Sequence, residues 1–147
     1  EQLQQEFLRW KRFGNPLTLL IWDIDRFKQI NDSHGHAAGD DALRNLAQQL
    51  AVRLRNTDFV ARYGGEEFAM LLPGADVPAA LRLANEIRSQ IAEAGFIQGE
   101  NRFPVTISCG LAGFEAGDTP QDVFKRADQA LYQAKRAGRN CCRAALL

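Results

Sequence analysis

No stretch of the 147-residue sequence approaches the run of about 18–20 apolar residues that a membrane span needs, so no membrane contact is expected of it. No succession of basic, apolar and small residues of the secretory type opens it either. Cysteine is scarce. Cys109, Cys141 and Cys142 are odd in number, two are adjacent, and none has the paired spacing of a zinc site or of a disulfide framework. Reduced thiols in a cytoplasmic compartment are the expectation. Any membrane tether would then belong to a longer protein, outside this domain. An excess of one charge is missing too. The 18 basic side chains balance 18 acidic ones, which argues against a broad electrostatic grip on nucleic acid. Phosphate binding must come from a few placed groups. The two histidines, His34 and His36, stand two residues apart and share no helix face, so a histidine metal centre is not expected.

What is present suits one globular domain, 1–147, large enough to bury a core without a disulfide or a structural metal. Because the chain opens abruptly inside a helical pattern, it is expected to be a piece of a longer multidomain protein. Residues 1–13 read as a helix ended by Asn15-Pro16. Leu17–Trp22 is a continuous apolar run followed by Asp23, the pattern of a strand buried on both faces with a carboxylate at its end. Residues 25–40 read as a loop with a short helix, and Asp41–Leu54 as a helix. Phe59–Tyr63 and Glu66–Leu72 read as a hairpin across a two-residue Gly64-Gly65 turn of positive φ. Helices are predicted from near Pro78 to Ala94 and over Gln121–Lys135, with a strand over Phe103–Phe114 between them. Strands alternating with helices around one hairpin indicate an α/β or α+β fold built on one sheet.

The acids carry the chemistry. Asp23 and Asp25 bracket the end of the first strand, and Glu66 and Glu67 follow the glycine pair. Carboxylates gathered at strand ends suit Mg²⁺, which wants oxygen ligands and keeps places for water and phosphate. Side-chain-free glycines let a polyphosphate approach the hairpin backbone. Lys135 and Arg139, four residues apart, would share a helix face and could clamp phosphate oxygens, although two cations at a helix C-terminus are also common there for dipole reasons. Asn31, Asp32, His34, His36, Asp40 and Asp41 crowd one polar segment, and a carboxylate with an amide is what a guanine edge requires.

These residues fall into a pattern. RYGGEEF (Arg62–Phe68) resembles the signature of GGDEF-domain diguanylate cyclases in its Gly-Gly-Glu-Glu-Phe form. DIDRFKQIND (Asp23–Asp32), GHAAGD (Gly35–Asp40), VTISCGLA (Val105–Ala112) and ADQALYQAKRAGRN (Ala127–Asn140) follow the same family pattern in order, from about Leu17 to Asn140. The resemblance implies an α+β fold: a central, mostly antiparallel sheet flanked by helices, similar to the polymerase palm and to the class III nucleotide cyclase core. It implies a Mg²⁺-dependent enzyme, with Mn²⁺ as a substitute, that condenses two GTP into cyclic di-GMP and two pyrophosphates across a homodimer. The metal ligands it implies are Asp23, the Ile24 carbonyl, Glu66 and Glu67. Glu66 is also the implied acceptor of the 3′-hydroxyl proton, and Lys28 steadies charge in the transition state. Asn31 and Asp40 read guanine, with His36 nearby; Phe27, Lys28, Lys135 and Arg139 hold phosphates.

The resemblance further marks RNTD, Arg55–Asp58, as an inhibitory site for the product. A second arginine often assists there in the family, and the matching position is Glu86. Glu66 replaces the Asp of the family name and keeps its carboxylate. The three cysteines stand where apolar residues are usual. The alternative to an enzyme is a GGDEF-like module that senses cyclic di-GMP or GTP without turnover. Such modules normally lose hairpin carboxylates, and Glu66 and Glu67 are both here.

Overall fold

A computed structural model describes residues 2–145. Strand β1 (Leu17–Ile24) has all eight residues buried, which explains its unbroken apolar run. It lies at the middle of a five-stranded sheet. Its antiparallel neighbours are β3 (Glu67–Pro73) and β6 (Ile107–Gly113); β2 (Phe59–Arg62) pairs antiparallel with β3, and β7 (Cys142–Ala144) pairs parallel with β6. The sheet is therefore mostly antiparallel and flanked by helices, as expected.

The two-residue period of a strand divides the core. Leu20, Trp22 and Ile24 join Phe68, Met70 and Leu72 beneath α3 (His36–Val52) and α4 (Val77–Ala94). Leu17, Leu19 and Ile21 face the other way, with Leu71, toward α1 (Gln2–Phe13) and α5 (Pro120–Arg136). Each large apolar side chain buried in this way contributes roughly 1.5–3 kcal/mol. The alternation puts Asp23 on the α5 side, because it continues the odd-numbered face.

Two devices fix α5 there. A reciprocal capping box starts it: Asp122 N–H donates to Thr119 Oγ1 at 3.2 Å, and Thr119 N–H donates to Asp122 Oδ2 at 2.9 Å. Gly110 of β6 then lets the helix lie flat on the strand, since a Cβ there would sit 2.7 Å from Leu131 Cα. One turn beyond Leu131, Lys135 comes over the end of β1.

Several boundaries differ from the sequence reading. Residues 25–40 hold two helices, α2 (Phe27–His34) and the first turn of α3, with only Gly35 between them. The expected strand 103–114 is divided: Asn101–Phe103 (β5) pairs with Phe96–Gln98 (β4) in a separate small hairpin, and β6 begins at Ile107 after Pro104, which has no N–H for a ladder. Strand β7 gave no sequence signal because it is three residues long.

The glycine hairpin is also looser than expected. Tyr63 N–H donates to Glu67 O, so Gly64, Gly65 and Glu66 form a three-residue turn and Glu66 lies outside the strand. Neither glycine has a positive φ; what they contribute is open space, with nothing within 4 Å of a Cβ at Gly65.

Candidate active site

The sheet register places the acids together. Asp23 stands directly across from Glu67 on β3 and from Ser108 on β6. Asp23 is 2% exposed. Its Oδ2 accepts from Lys135 Nζ, while its Oδ1 is buried with no hydrogen-bond partner. Burial raises its carboxyl from 3.8 to about 6, against the pull of Lys135; the nearby negative charges of Glu66 and Glu67 push it the same way. A buried carboxylate with one lone oxygen and two further acids beside it is an electrostatically unfinished site.

Glu67 is steadied by Tyr63, whose hydroxyl donates to Oε2 at 3.1 Å. Burial and the charge of Glu67 raise the phenol of Tyr63 well above its usual value, so it stays a donor. The Tyr63 ring meets Phe124 of α5 edge-on at 5.3 Å, which ties the hairpin to that helix. Sequence reasoning missed Tyr63. Its signal was its place just before the glycines, across the turn from Glu67.

Asp25 has a different surrounding. Ser108 Oγ donates to its Oδ1 at 2.6 Å; Thr106 Oγ1 and Asn140 N–H donate to its Oδ2 at 2.7 and 2.8 Å. It clamps β1, β6 and the chain after α5 to one another. Arg26 follows in the left-handed region, φ 55°, and caps α2 with no side-chain bond. Such strain in a non-glycine residue costs about 1–3 kcal/mol. It redirects the chain from the end of β1 into α2, whose first amides, around Phe27 and Lys28, have no partner within the helix, an arrangement suited to anions. Lys28 is exposed there.

A second cluster lies between α2 and α3. A Cβ at Gly39 would collide with Asn31 Oδ1 and sit 2.9 Å from its Cγ and 3.2 Å from Phe27 Cζ. Glycine is thus what lets the Asn31 carboxamide rest against α3 beside Asp40. Asp40 lines a groove of about 290 Å³ with Leu43, Val60, Arg62 and Phe68. This groove and the Asp23 cluster lie on opposite sides of the sheet edge, joined by the turn between Arg62 and Glu67. His36 is exposed at the start of α3.

Arg139 departs from the sequence reading. The helix ends at Arg136, and Arg139 lies beyond it with φ 66°, its N–H donating to Ala134 O at 3.1 Å. It shares no helix face with Lys135. The Arg55–Asp58 turn is a separate place, near Pro73, and the length of β3, about 20 Å, separates it from Glu67. Asp58, its side chain 2% exposed, accepts from Arg55 Nε at 3.2 Å and Nη2 at 3.1 Å; Arg55 is 61% exposed. Asp58 therefore orients Arg55 and does not itself face solvent. Glu86 is paired with Arg53 at 3.0 Å.

Among the described residues, no three His, Cys, Asp or Glu side chains close around a common point. The lone Asp23 Oδ1 nonetheless fits a hard cation, which needs only one or two protein carboxylates when a substrate's phosphates supply other ligands. No helix among the described residues is long and apolar enough to cross a membrane.

The family model described as diguanylate cyclase, GGDEF domain, matches residues 1–141. The chain belongs to the GGDEF family. Among relatives in that family, Diguanylate cyclase DgcP of Pseudomonas aeruginosa is 47% identical over 140 residues, which are 95% of this chain and 21% of DgcP. Response regulator PleD of Caulobacter vibrioides is 45% identical over 130 residues, 86% of this chain and 29% of PleD. The chain thus spans less than a third of either relative. The active GGEEF domain of a diguanylate cyclase from Vibrio cholerae superposes with a TM-score of 0.93 at 38% identity, covering 99% of this chain and 93% of that one. The GGDEF domain of DgcB from Caulobacter crescentus, in complex with c-di-GMP, gives 0.92 at 34% identity, over 97% and 85%. Metal dependence is general in this family.

Proposed function

We propose that this chain is one catalytic domain of a diguanylate cyclase, which joins two GTP into cyclic di-GMP when two copies meet face to face. The observation that carries this reading is the end of β1, where buried Asp23 keeps an unpaired oxygen opposite the hairpin acids Glu66 and Glu67. Each 3′-hydroxyl attacks the α-phosphorus of the other GTP; the new P–O bond forms as the bond to the β-phosphate breaks, and pyrophosphate leaves twice. Glu66, in the open turn, takes the hydroxyl proton. Lys28 and the first amides of α2 offset the charge that develops on phosphate. Lys135 and Arg139 hold the triphosphate. Asn31 and Asp40 select guanine, with His36 at the rim. Asp23, the Ile24 carbonyl, Glu66 and Glu67 would hold Mg²⁺ or Mn²⁺, whose charge polarises the α-phosphate and stabilises the departing pyrophosphate.

Arg55 supports a second element, inhibition by product. Asp58 and the Pro73 carbonyl hold its Nε and Nη2, which leaves Nη1 to donate to guanine O6 or N7. Glu86 supplies no second cation, so binding is expected to be weak. Calorimetry with cyclic di-GMP on the parent and on Arg55→Ala checks this; equal binding by both would remove Arg55 from the site.

The test of the catalytic reading is pyrophosphate release from GTP, measured on the parent and on Glu66→Gln. The expected result is turnover by the parent, rising in specific activity with protein concentration, and near-complete loss in the variant with its melting temperature kept. A parent that binds cyclic di-GMP or GTP without turnover at any concentration would instead favour a sensor module.

A further inference from the structure

The three thiols are not equivalent. Cys109 of β6 and Cys142 of β7 are paired across the parallel ladder in register. Side chains at paired positions of neighbouring strands point to the same face, and the strands run about 4.7–4.9 Å apart. That spacing falls within the roughly 4.4–6.8 Å between Cα atoms that a disulfide accepts. Both belong to the core on the α4 side, Cys109 within it and Cys142 packed against it; the Cys109 thiol points at Gly110 O, 3.8 Å away. Cys141, one residue earlier, points to the opposite side and interacts with Ala134 O at 3.3 Å. Strand alternation thus selects one pair out of three.

The pair is also asymmetric. Cys109 is fully buried, and Cys142 is half-buried on β7, the outermost strand. Arg88 of α4 lies against Cys142, anchored by its Nη1 donating to Asn140 Oδ1 at 3.0 Å.

We infer that Cys109 and Cys142 form a redox-active dithiol, in which a hydroperoxide oxidises Cys142 at the sheet edge and Cys109 resolves it to an intramolecular disulfide. The Cys142 thiolate attacks the peroxide; an S–O bond forms, the O–O bond breaks, and the departing oxygen leaves as water or an alcohol. Cys109 then loses its proton and attacks the Cys142 sulfur. The S–S bond forms, the S–O bond breaks, and the hydroxide takes up that proton as water. Two thiols are oxidised and one peroxide is reduced. The neighbouring Cys109 thiol and the charge of Arg88 pull the Cys142 thiol below its usual range, while burial raises that of Cys109, which matches these two roles. Because the strands are already in register, the link needs no re-pairing.

The experiment treats the chain with a small excess of hydrogen peroxide, blocks free thiols and maps the peptides. Cys141→Ser is run beside the parent, because Arg139 and Arg143 leave Cys141 and Cys142 on one tryptic peptide. The expected product in both is a dithiothreitol-reversible link between Cys109 and Cys142 within one chain. Cys142→Ser, at the half-buried edge, should lose the link and keep the fold. Cys109→Ala should accumulate a dimedone-reactive sulfenic acid at Cys142. Arg88→Gln should slow the reaction several-fold. A link through Cys141, a link between chains, or a parent whose Cys109 and Cys142 both stay alkylatable would overturn the inference. A rate unchanged in Arg88→Gln would overturn the activation step.

Discussion

Asp23 and Asp25 leave the same strand end two residues apart, and their surroundings differ in kind. Asp25 accepts three hydrogen bonds, from Ser108, Thr106 and the Asn140 amide, so both its oxygens are satisfied within the fold. Asp23 has one partner, Lys135, and one buried oxygen with none. The first carboxylate holds three segments together. The second is kept by the fold at a cost, and that cost marks where a ligand completes it. The general lesson is that an acid's role is read from what its oxygens lack rather than from its burial, since Asp23 and Asp25 are both buried.

The sharpest way to break this contrast is to neutralise each acid. Asp23→Asn should lower turnover on the order of 10³-fold, as expected when a charge that acts on the transition state is removed. Asp25→Ala should act first on the fold, lowering stability by about 2–4 kcal/mol through lost charged hydrogen bonds. Activity lost in Asp25→Ala with stability intact would erase the distinction.

Stability against pH sharpens it further. The folded carboxyl of Asp23 sits near 6, above its ordinary 3.8, so the folded protein binds more protons between those values. Stability from this group is therefore present at low pH, falls as pH rises through that window, and is level above it. In chelator at pH 7, Asp23→Asn should thus be more stable than the parent, on the order of 2–3 kcal/mol. The advantage should vanish near pH 4. A variant less stable than the parent at pH 7 would contradict the unfinished state of Asp23.

Smaller effects reach the neighbouring parts. Gly39→Ala forces Asn31 off α3 and should cost about 1–3 kcal/mol as overpacking. It should raise KM for GTP more than for an analogue lacking the guanine amino group. An unchanged KM would separate Asn31 from base recognition. Tyr63→Phe removes one hydrogen bond to Glu67 and should lower kcat by roughly fivefold or less. A loss as large as that of Glu66→Gln would show that Tyr63 acts directly in the chemistry.

Much of this was legible in the sequence. The apolar run of β1 announced a doubly buried strand, and its terminal Asp23 announced the site. The helices showed through their period. What escaped is set by contacts distant along the chain. Nothing local to Asp25 foretells Ser108, Thr106 and Asn140, because those partners come from another strand and from the chain after α5. The Lys135–Asp23 bond spans 112 positions. The helical spacing of Lys135 and Arg139 misled, because a left-handed residue ends that geometry locally. The glycine pair signalled a turn correctly and its type incorrectly, since two glycines fit several turns.

The most direct test is the product itself. The chain, incubated with GTP and Mg²⁺ at high protein concentration, is analysed for cyclic di-GMP and pyrophosphate, with Asp23→Asn in parallel. The expected result is two pyrophosphates per cyclic di-GMP from the parent and on the order of 10³-fold less product from the variant. Equal product from both would contradict the role of Asp23, and no product from a folded, dimeric parent would contradict the catalytic reading.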